Sequence, residues 1–207
     1  LKNQVKILNK TRILLEKHEL ETRELSLKTS INLIEKSSLE EEETLQDKWA
    51  ILIVNIATTP ENGLELRLIN TLSALSSLEA KILDFIHEDF YVQRQLKLAK
   101  LLSIPNPTIK YTEQDIKLED IIIDFDSVKV NFELSEEFTK IYIDNLESLG
   151  LIRYEDPDID IDDGSTSADL NDDSIDLNLD ISASYSSSEN FLITAFGNYF
   201  IKTCKAE

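Results

Sequence analysis

Apolar residues recur at three- and four-residue steps over most of this chain, and the recurrences divide it into helices. From Lys2 to Lys17 they fall at Val5, Ile7, Leu8, Leu14 and Leu15, with Lys2, Lys6, Lys10 and Arg12 between them. This predicts an amphipathic helix with a basic exposed side. Leu27, Ile31 and Ile34 with Leu33 predict a second helix over 27–36, and Leu45, Trp49, Leu52 and Ile53 a third reaching Ala57. Ser38 and Glu41 have capping-box spacing ahead of the third, with Glu40 to Glu43 in its first turn, where the helix dipole favours carboxylates. Thr59, Pro60, Glu61, Asn62 and Gly63 supply the stop, and Leu64 to Leu75 predict a fourth helix.

Ser76 and Glu79 repeat the capping-box spacing, so a helix is expected to begin near Ser77, with Leu78, Ile82, Leu83, Phe85 and Ile86 on its apolar face. It is expected to end by Phe90, with a shorter helix over 93–102 stopped by Ile104, Pro105, Asn106 and Pro107. Ile121 to Phe125 suits a strand or a short buried helix. Val128, Val130, Phe132 and Leu134 alternate with Lys129, Asn131 and Glu133, the pattern of a strand with one buried face. Phe138, Ile141, Tyr142, Ile143, Leu146 and Leu149 predict a helix that Gly150 ends as a left-handed cap, before a short strand from Leu151 to Tyr154. Ile159 and Ile161, then Ile175, Leu177, Leu179 and Ile181, alternate with polar residues as two strands of a hairpin, with a tip over 163–173. Phe191 to Cys204 closes the chain as a helix.

Helix, later helix, Gly stop, strand, second strand and closing helix is the order of a winged-helix module. The expected fold is therefore mainly α with a small β component: an N-terminal helical region (1–70) and a winged-helix-like C-terminal domain (71–207). The latter holds an insertion (105–134) and an acidic wing (156–190).

Composition changes what such a fold is expected to bind. The chain has 207 residues, enough for one or two domains with a real core. No run approaches the ~18 apolar residues of a membrane span, so membrane contact is not indicated. A chain that opens on Leu1 and contains no Met is expected to lack an N-terminal portion. Its net charge is −19, with 40 acidic against 21 basic side chains, which repels phosphate backbones. The helix that would read DNA, Ser135 to Leu149, carries Glu136, Glu137, Asp144 and Glu147 against Lys140. Direct nucleic-acid binding is not expected; a protein partner or a homo-oligomer is. One Cys cannot form an intramolecular disulfide, and Cys204, His18 and His87 lack zinc-site spacing, so a reducing cytoplasm is the expected compartment.

The acidic wing supplies the candidate binding residues. Between Asp156 and Asp180 stand ten Asp and no Lys or Arg, more than half of the net charge. Asp158, Asp160, Asp162, Asp163, Asp172 and Asp173 are the candidates. Asp158, Asp160, Asp162 and Gly164 approach a calcium loop, but the positions requiring Gly and a bidentate Glu hold Asp163 and Asp169, so no metal is expected. Catalytic patterns are thin. The four glycines are isolated, and no serine sits in a nucleophile elbow. His87 beside Glu88 and Asp89 is either an acid–base pair or a complement to a helix C-terminus, while Cys204 beside Lys202 and Lys205 reads as a packing thiol. Trp49 reads as a core anchor. Neither enzymatic activity nor a cofactor is expected.

Five segments in order carry a family resemblance. KNQVKILNKTRILLEKH opens the chain. An acidic run leads into a W-A-x-L helix over Glu40 to Ile53, and L-S-x-x-E-A-K-I-L falls on Leu75 to Leu83. N-L-x-x-L-G-L-I falls on Asn145 to Ile152, and a terminal L-T-x-F-G-x-x-F pattern on Leu192 to Phe200, with Ile193 inserted before Thr194. In these the chain resembles the Abi-alpha family, prokaryotic proteins of the abortive-infection, phage-defence type. The resemblance implies a defence role, carried by a non-enzymatic protein-binding or sensing module, and no catalytic site to transfer. The alternative expectation is an acidic regulatory or DNA-mimicking module that binds a basic nucleic-acid-binding protein.

Overall fold

A computed structural model describes residues 2–103, 111–156, 158–163, 167–171, 174–178, 181–186 and 189–205; within 158–186 it describes backbone and strand pairing. The N-terminal region is four helices: α1 (Lys2–Lys17), α2 (Leu27–Ser38), α3 (Glu43–Thr58) and α4 (Glu65–Ala74). The long α5 (Ser77–Leu102) follows, then single 3-10 turns at Glu113–Asp115 and Leu118–Asp120, α6 (Phe125–Asn131) and α7 (Glu136–Ser148). Strand β1 (Ile152–Tyr154) leads into a hairpin made of β2 (Asp158–Asp163), β3 (Ser167–Asn171), β4 (Ser174–Asn178) and β5 (Ile181–Ser186). The chain returns as β6 (Phe191–Ile193) and ends in α8 (Ala195–Cys204). The fold is mainly helical with a small two-stranded sheet, β1 against β6, beside the hairpin.

One hydrophobic cluster runs through both halves of the chain. Trp49 and Leu52 of α3, Leu68 and Leu72 of α4, Ile82, Ile86 and Phe90 of α5, Ile143 and Leu146 of α7, Phe191 of β6 and Phe200 of α8 all belong to it. Full burial of each such side chain is worth ~1.5–3 kcal/mol. Trp49 is the core anchor its neighbours predict.

Several elements depart from the sequence expectation. The capping box at Ser38 and Glu41 does not form, because α2 runs on to Ser38, whose hydroxyl donates back to the Glu35 carbonyl. Glu40 instead accepts from the Glu42 N–H, and the buried Gln46 side chain donates to the Glu40 carbonyl. No break follows Phe90, so the shorter helix expected over 93–102 is the second half of α5. Phe90 is buried, and the Gln93 amide bonds Asp89 one turn back, which continues the helix where a new start would need a cap. The strand expected over Val128 to Leu134 is α6. Asp124 caps it by accepting from the Asp126 and Ser127 N–H groups, and Phe125 and Val128, three residues apart, form its buried side. Its alternation was coincidental: Val130 is 74% exposed. Of the two forms open to Ile121–Phe125, the extended one occurs, and Ile123 bridges Phe191 on the edge of β6. The hydrophobic stripe Leu27, Ile31 and Ile34 of α2 faces outward, while Thr29, Leu33 and Ser37 turn inward.

The hairpin is longer than expected. β2 pairs with β5, setting Asp158 opposite Ser186, and β3 pairs with β4, setting Asn171 opposite Ser174. The residues read as a tip therefore include β3.

The closing helix begins at Ala195 because Phe191–Ile193 is spent on the sheet. Thr194 caps it: its hydroxyl accepts from the Gly197 N–H at 2.9 Å and donates to the Gly150 carbonyl at 2.6 Å. Gly150 has φ +72°, and the bonds Gly150 N–H to Glu147 and Leu151 N–H to Leu146 complete a Schellman stop on α7. The two glycines thus meet across one threonine. A Cβ on Gly197 would stand 1.9 Å from the Leu151 carbonyl oxygen, and a backbone oxygen cannot swing aside.

Gly197→Ala is accordingly expected to cost more than about 4 kcal/mol, lowering the melting temperature by at least about 8 °C. Gly63→Ala, where φ is +78° but nothing lies within 4 Å, is the comparison and costs about 1 kcal/mol. Equal melting of the two variants would contradict the close approach.

Candidate functional site

The surface that carries the candidate residues is built outward from a buried carboxylate. At the start of α5 the Ser76 hydroxyl accepts from the Glu79 N–H at 3.2 Å, and Glu79 Oε2 accepts from the Ser76 N–H at 2.7 Å. This is the capping box expected from the sequence. Its second oxygen has a further use: Glu79 Oε1 accepts from the side-chain amide of Asn145 on α7. Glu79 is buried, so both oxygens are satisfied away from water, and the bond fixes how α7 is rolled against α5.

With Thr139, Ile143 and Leu146 held inward, the opposite side of α7 faces solvent. Phe138 and Ile141, one turn apart, are 56% and 52% exposed. The periodicity that placed both in a core face is split here: the inward stripe is completed by Thr139, which is fully buried and donates to the Ser135 carbonyl. Glu136 and Glu137 occupy the first turn, where the dipole stabilises them. Further along, Asp144 accepts from the Tyr154 hydroxyl of β1, and Glu147 accepts from the Tyr154 N–H. Burial, then the bond to Asp144, pushes the Tyr154 phenol well above its ordinary range. The cations on this face are engaged: Lys140 lies 4.0 Å from Glu189, and Arg153 bonds Asp156 at 3.2 Å. Exposed pairs of this kind contribute little, and the same exposed side of α7 carries Glu137, Asp144 and Glu147 as well as the apolar pair.

The other candidates lie in the hairpin. Asp158, Asp160 and Asp162 stand at alternate register positions of β2, opposite Ser186, Ser184 and Ser182, and Asp163 stands opposite Ile181. Asp172 and Asp173 lie outside the described residues. The segment Asp158–Asp163 that approaches a calcium loop is a paired strand, so its backbone does not curl around a cation.

The groups considered for catalysis are engaged in packing. His87 sits in the middle of α5 rather than at a helix end, buried, with its ring edge-on to Tyr91 at 4.7 Å. Glu88 pairs with Lys205 and Asp89 with Gln93, so the acid–base pair does not form. Burial, then the nearby Lys205, lowers the His87 pKa to about 4. Burial pushes the Cys204 thiol up to about 12, which makes it a poor nucleophile. Among the described residues no helix is long and apolar enough to cross a membrane.

The motif residues Glu79, Asn145, Gly150, Thr194 and Gly197 form the interior that supports this face. A family model described as abortive infection alpha matches residues 2–204. The chain belongs to the abortive infection alpha family. No curated protein and no solved structure matches it. The phage-defence role that the family name suggests therefore comes with no relative's site to carry over, and the exposed α7 face lies largely outside the abortive infection alpha motifs.

The depressed His87 pKa has a stability consequence. Between about 4 and 6.5 the unfolded chain holds a proton on this ring that the folded chain does not, so stability rises with pH through that window and is lost as pH falls through it. One such proton gives a slope of up to about 1.4 kcal/mol per pH unit. His87→Gln is expected to flatten the acid side of a denaturant-midpoint profile between those limits; an unchanged slope would contradict the burial of a neutral ring.

Proposed function

We propose that this protein acts in phage defence by binding another protein through the exposed side of α7 and the acidic hairpin, without chemistry of its own. The observation that carries this reading is the exposed pair Phe138 and Ile141, on a helix that also exposes Glu137, Asp144 and Glu147 and whose roll is fixed by Glu79 and Asn145. Apolar anchors give an interface most of its affinity, and a charged rim gives it partner choice and on-rate. The partner this face suits is a protein with an apolar cleft and a basic rim. The order α5, α7, Gly150, β1, hairpin and β6 supports a winged-helix-like reading of the C-terminal half. The charges on α7 have the wrong sign for reading DNA in the way such folds do. The burial of His87 against Tyr91 and the high thiol pKa of Cys204 support a role without catalysis.

A second reading draws on the hairpin. Alternate strand residues lie ~6.6–6.8 Å apart, so Asp158, Asp160 and Asp162 form an evenly spaced row of acidic positions along β2. Such a row suits the basic groove of a nucleic-acid-binding protein and supports a DNA-mimicking module.

In cells challenged with phage, the double variant Phe138→Glu, Ile141→Glu is expected to lose protection by at least about tenfold, equivalent to ~1.4 kcal/mol of binding. Its melting temperature should stay unchanged, because both side chains are more than half exposed. Val92→Glu with Leu96→Glu, on the exposed side of α5, should keep full protection. Full protection by the α7 variant would overturn the protein-binding face. Loss of protection on removing 158–186, with DNA competing for the captured partner, would favour the mimic.

A further inference from the structure

A cavity of about 320 Å³ lies where the end of α1, the second half of α3 and the end of α8 converge, and its lining differs in sign from the rest of the molecule. Leu14, Leu20, Ile51 and Val54 give it apolar walls, and Lys17, His18, Lys202 and Lys205 are its ionisable lining residues. Among the described residues no carboxylate lines it, in a chain whose acidic side chains outnumber its basic ones 40 to 21. These residues are far apart in sequence and are brought together by the fold. Asn55 fixes the junction, donating from its side chain to the Thr203 carbonyl at 2.7 Å, and so ties α3 to the last turn of α8.

We propose that this cavity is a binding site for a small organic phosphate, its phosphate held by Lys17, Lys202 and Lys205 and its apolar body against Leu14, Leu20, Ile51 and Val54. Lysine holds phosphate as a compact point charge with rotatable donors, and an anion between like charges at one mouth offsets their repulsion. Part of this convergence has a structural account, since Lys17 and Lys202 also complement the C-terminal dipoles of α1 and α8. Lys205, the C-cap of α8, stands at the same helix end and also bonds Glu88 at 3.1 Å; what the dipoles do not explain is the apolar hollow between the lysines. At this size the cavity suits a mononucleotide or a phosphorylated alkyl chain, both within the ~300–1,000 Å³ range of small-molecule sites. The site stands independently of the acidic face, because it is built from cations on other helices.

The test is titration calorimetry of the full chain with three probes: inorganic phosphate, adenosine monophosphate and octyl phosphate. One of the two organic phosphates is expected to bind at least about tenfold more tightly than inorganic phosphate, with a Kd below ~1 mM. The stronger of the two identifies the apolar body as ring or chain. Lys17→Glu with Lys202→Glu should weaken that probe by at least about tenfold, while Lys28→Glu, on the exposed side of α2, should leave it unchanged. If the charge reversal perturbs melting, Lys17→Gln with Lys202→Gln replaces it. Equal binding of inorganic and organic phosphate, unchanged binding by the double variant, or no heat from any probe would each overturn the proposal. The variants' protection against phage is read separately, so failure here leaves the α7 reading untouched.

Discussion

The carboxylate of Glu79 holds together parts of the chain that are otherwise joined only by packing. It closes the first turn of α5 through Ser76 and reaches across to Asn145, which puts α7 in one rotational setting on the core. Everything beyond α7 inherits that setting. The Schellman stop at Gly150 directs the chain into β1, Thr194 hydrogen-bonds back to the Gly150 carbonyl, and Gly197 lets α8 close onto Leu151 without a side chain between them. A buried carboxylate with both oxygens bonded stabilises modestly when complete, and removing one partner leaves an unsatisfied charge-bearing group. The arrangement therefore favours one orientation of the α7 surface more than it adds to total stability.

This division of labour explains why the family motifs say little about binding. Glu79 and Asn145 belong to separate motifs and meet in the interior; Gly150, Thr194 and Gly197 belong to the last two and meet at the α7–α8 junction. They specify a scaffold. Phe138 and Ile141 project from that scaffold. The charge is divided in the same way: acid is concentrated on the α7 side and the hairpin, while Lys17, Lys202 and Lys205 gather at the junction of α1, α3 and α8.

What was legible in the sequence was local. The capping box at Ser76, the stop at Gly150, and α1, α3 and α7 each declare themselves through residues three or four apart. What was not legible depended on contacts across the chain. The Val128 to Leu134 alternation looked like a strand because sequence alone does not show that Asp124 caps a helix there or that Val130 faces solvent. The break expected at Phe90 does not occur, because Asp89 and Gln93 bond within one continuous helix. The stripes Leu27, Ile31, Ile34 and Phe138, Ile141 had the right spacing for a core and face outward, because Thr29, Ser37 and Thr139 occupy the inward positions. The cation-lined cavity had no sequence signal, since its parts are joined only by the packing of α1, α3 and α8.

The claim that the α7 face makes the functional contact is tested most directly by placing a photo-crosslinking amino acid at position 141, and separately at position 96 on α5, in phage-challenged cells. The account predicts one discrete adduct with another protein from position 141 and none from position 96. Adducts from position 96 with none from 141 would contradict it.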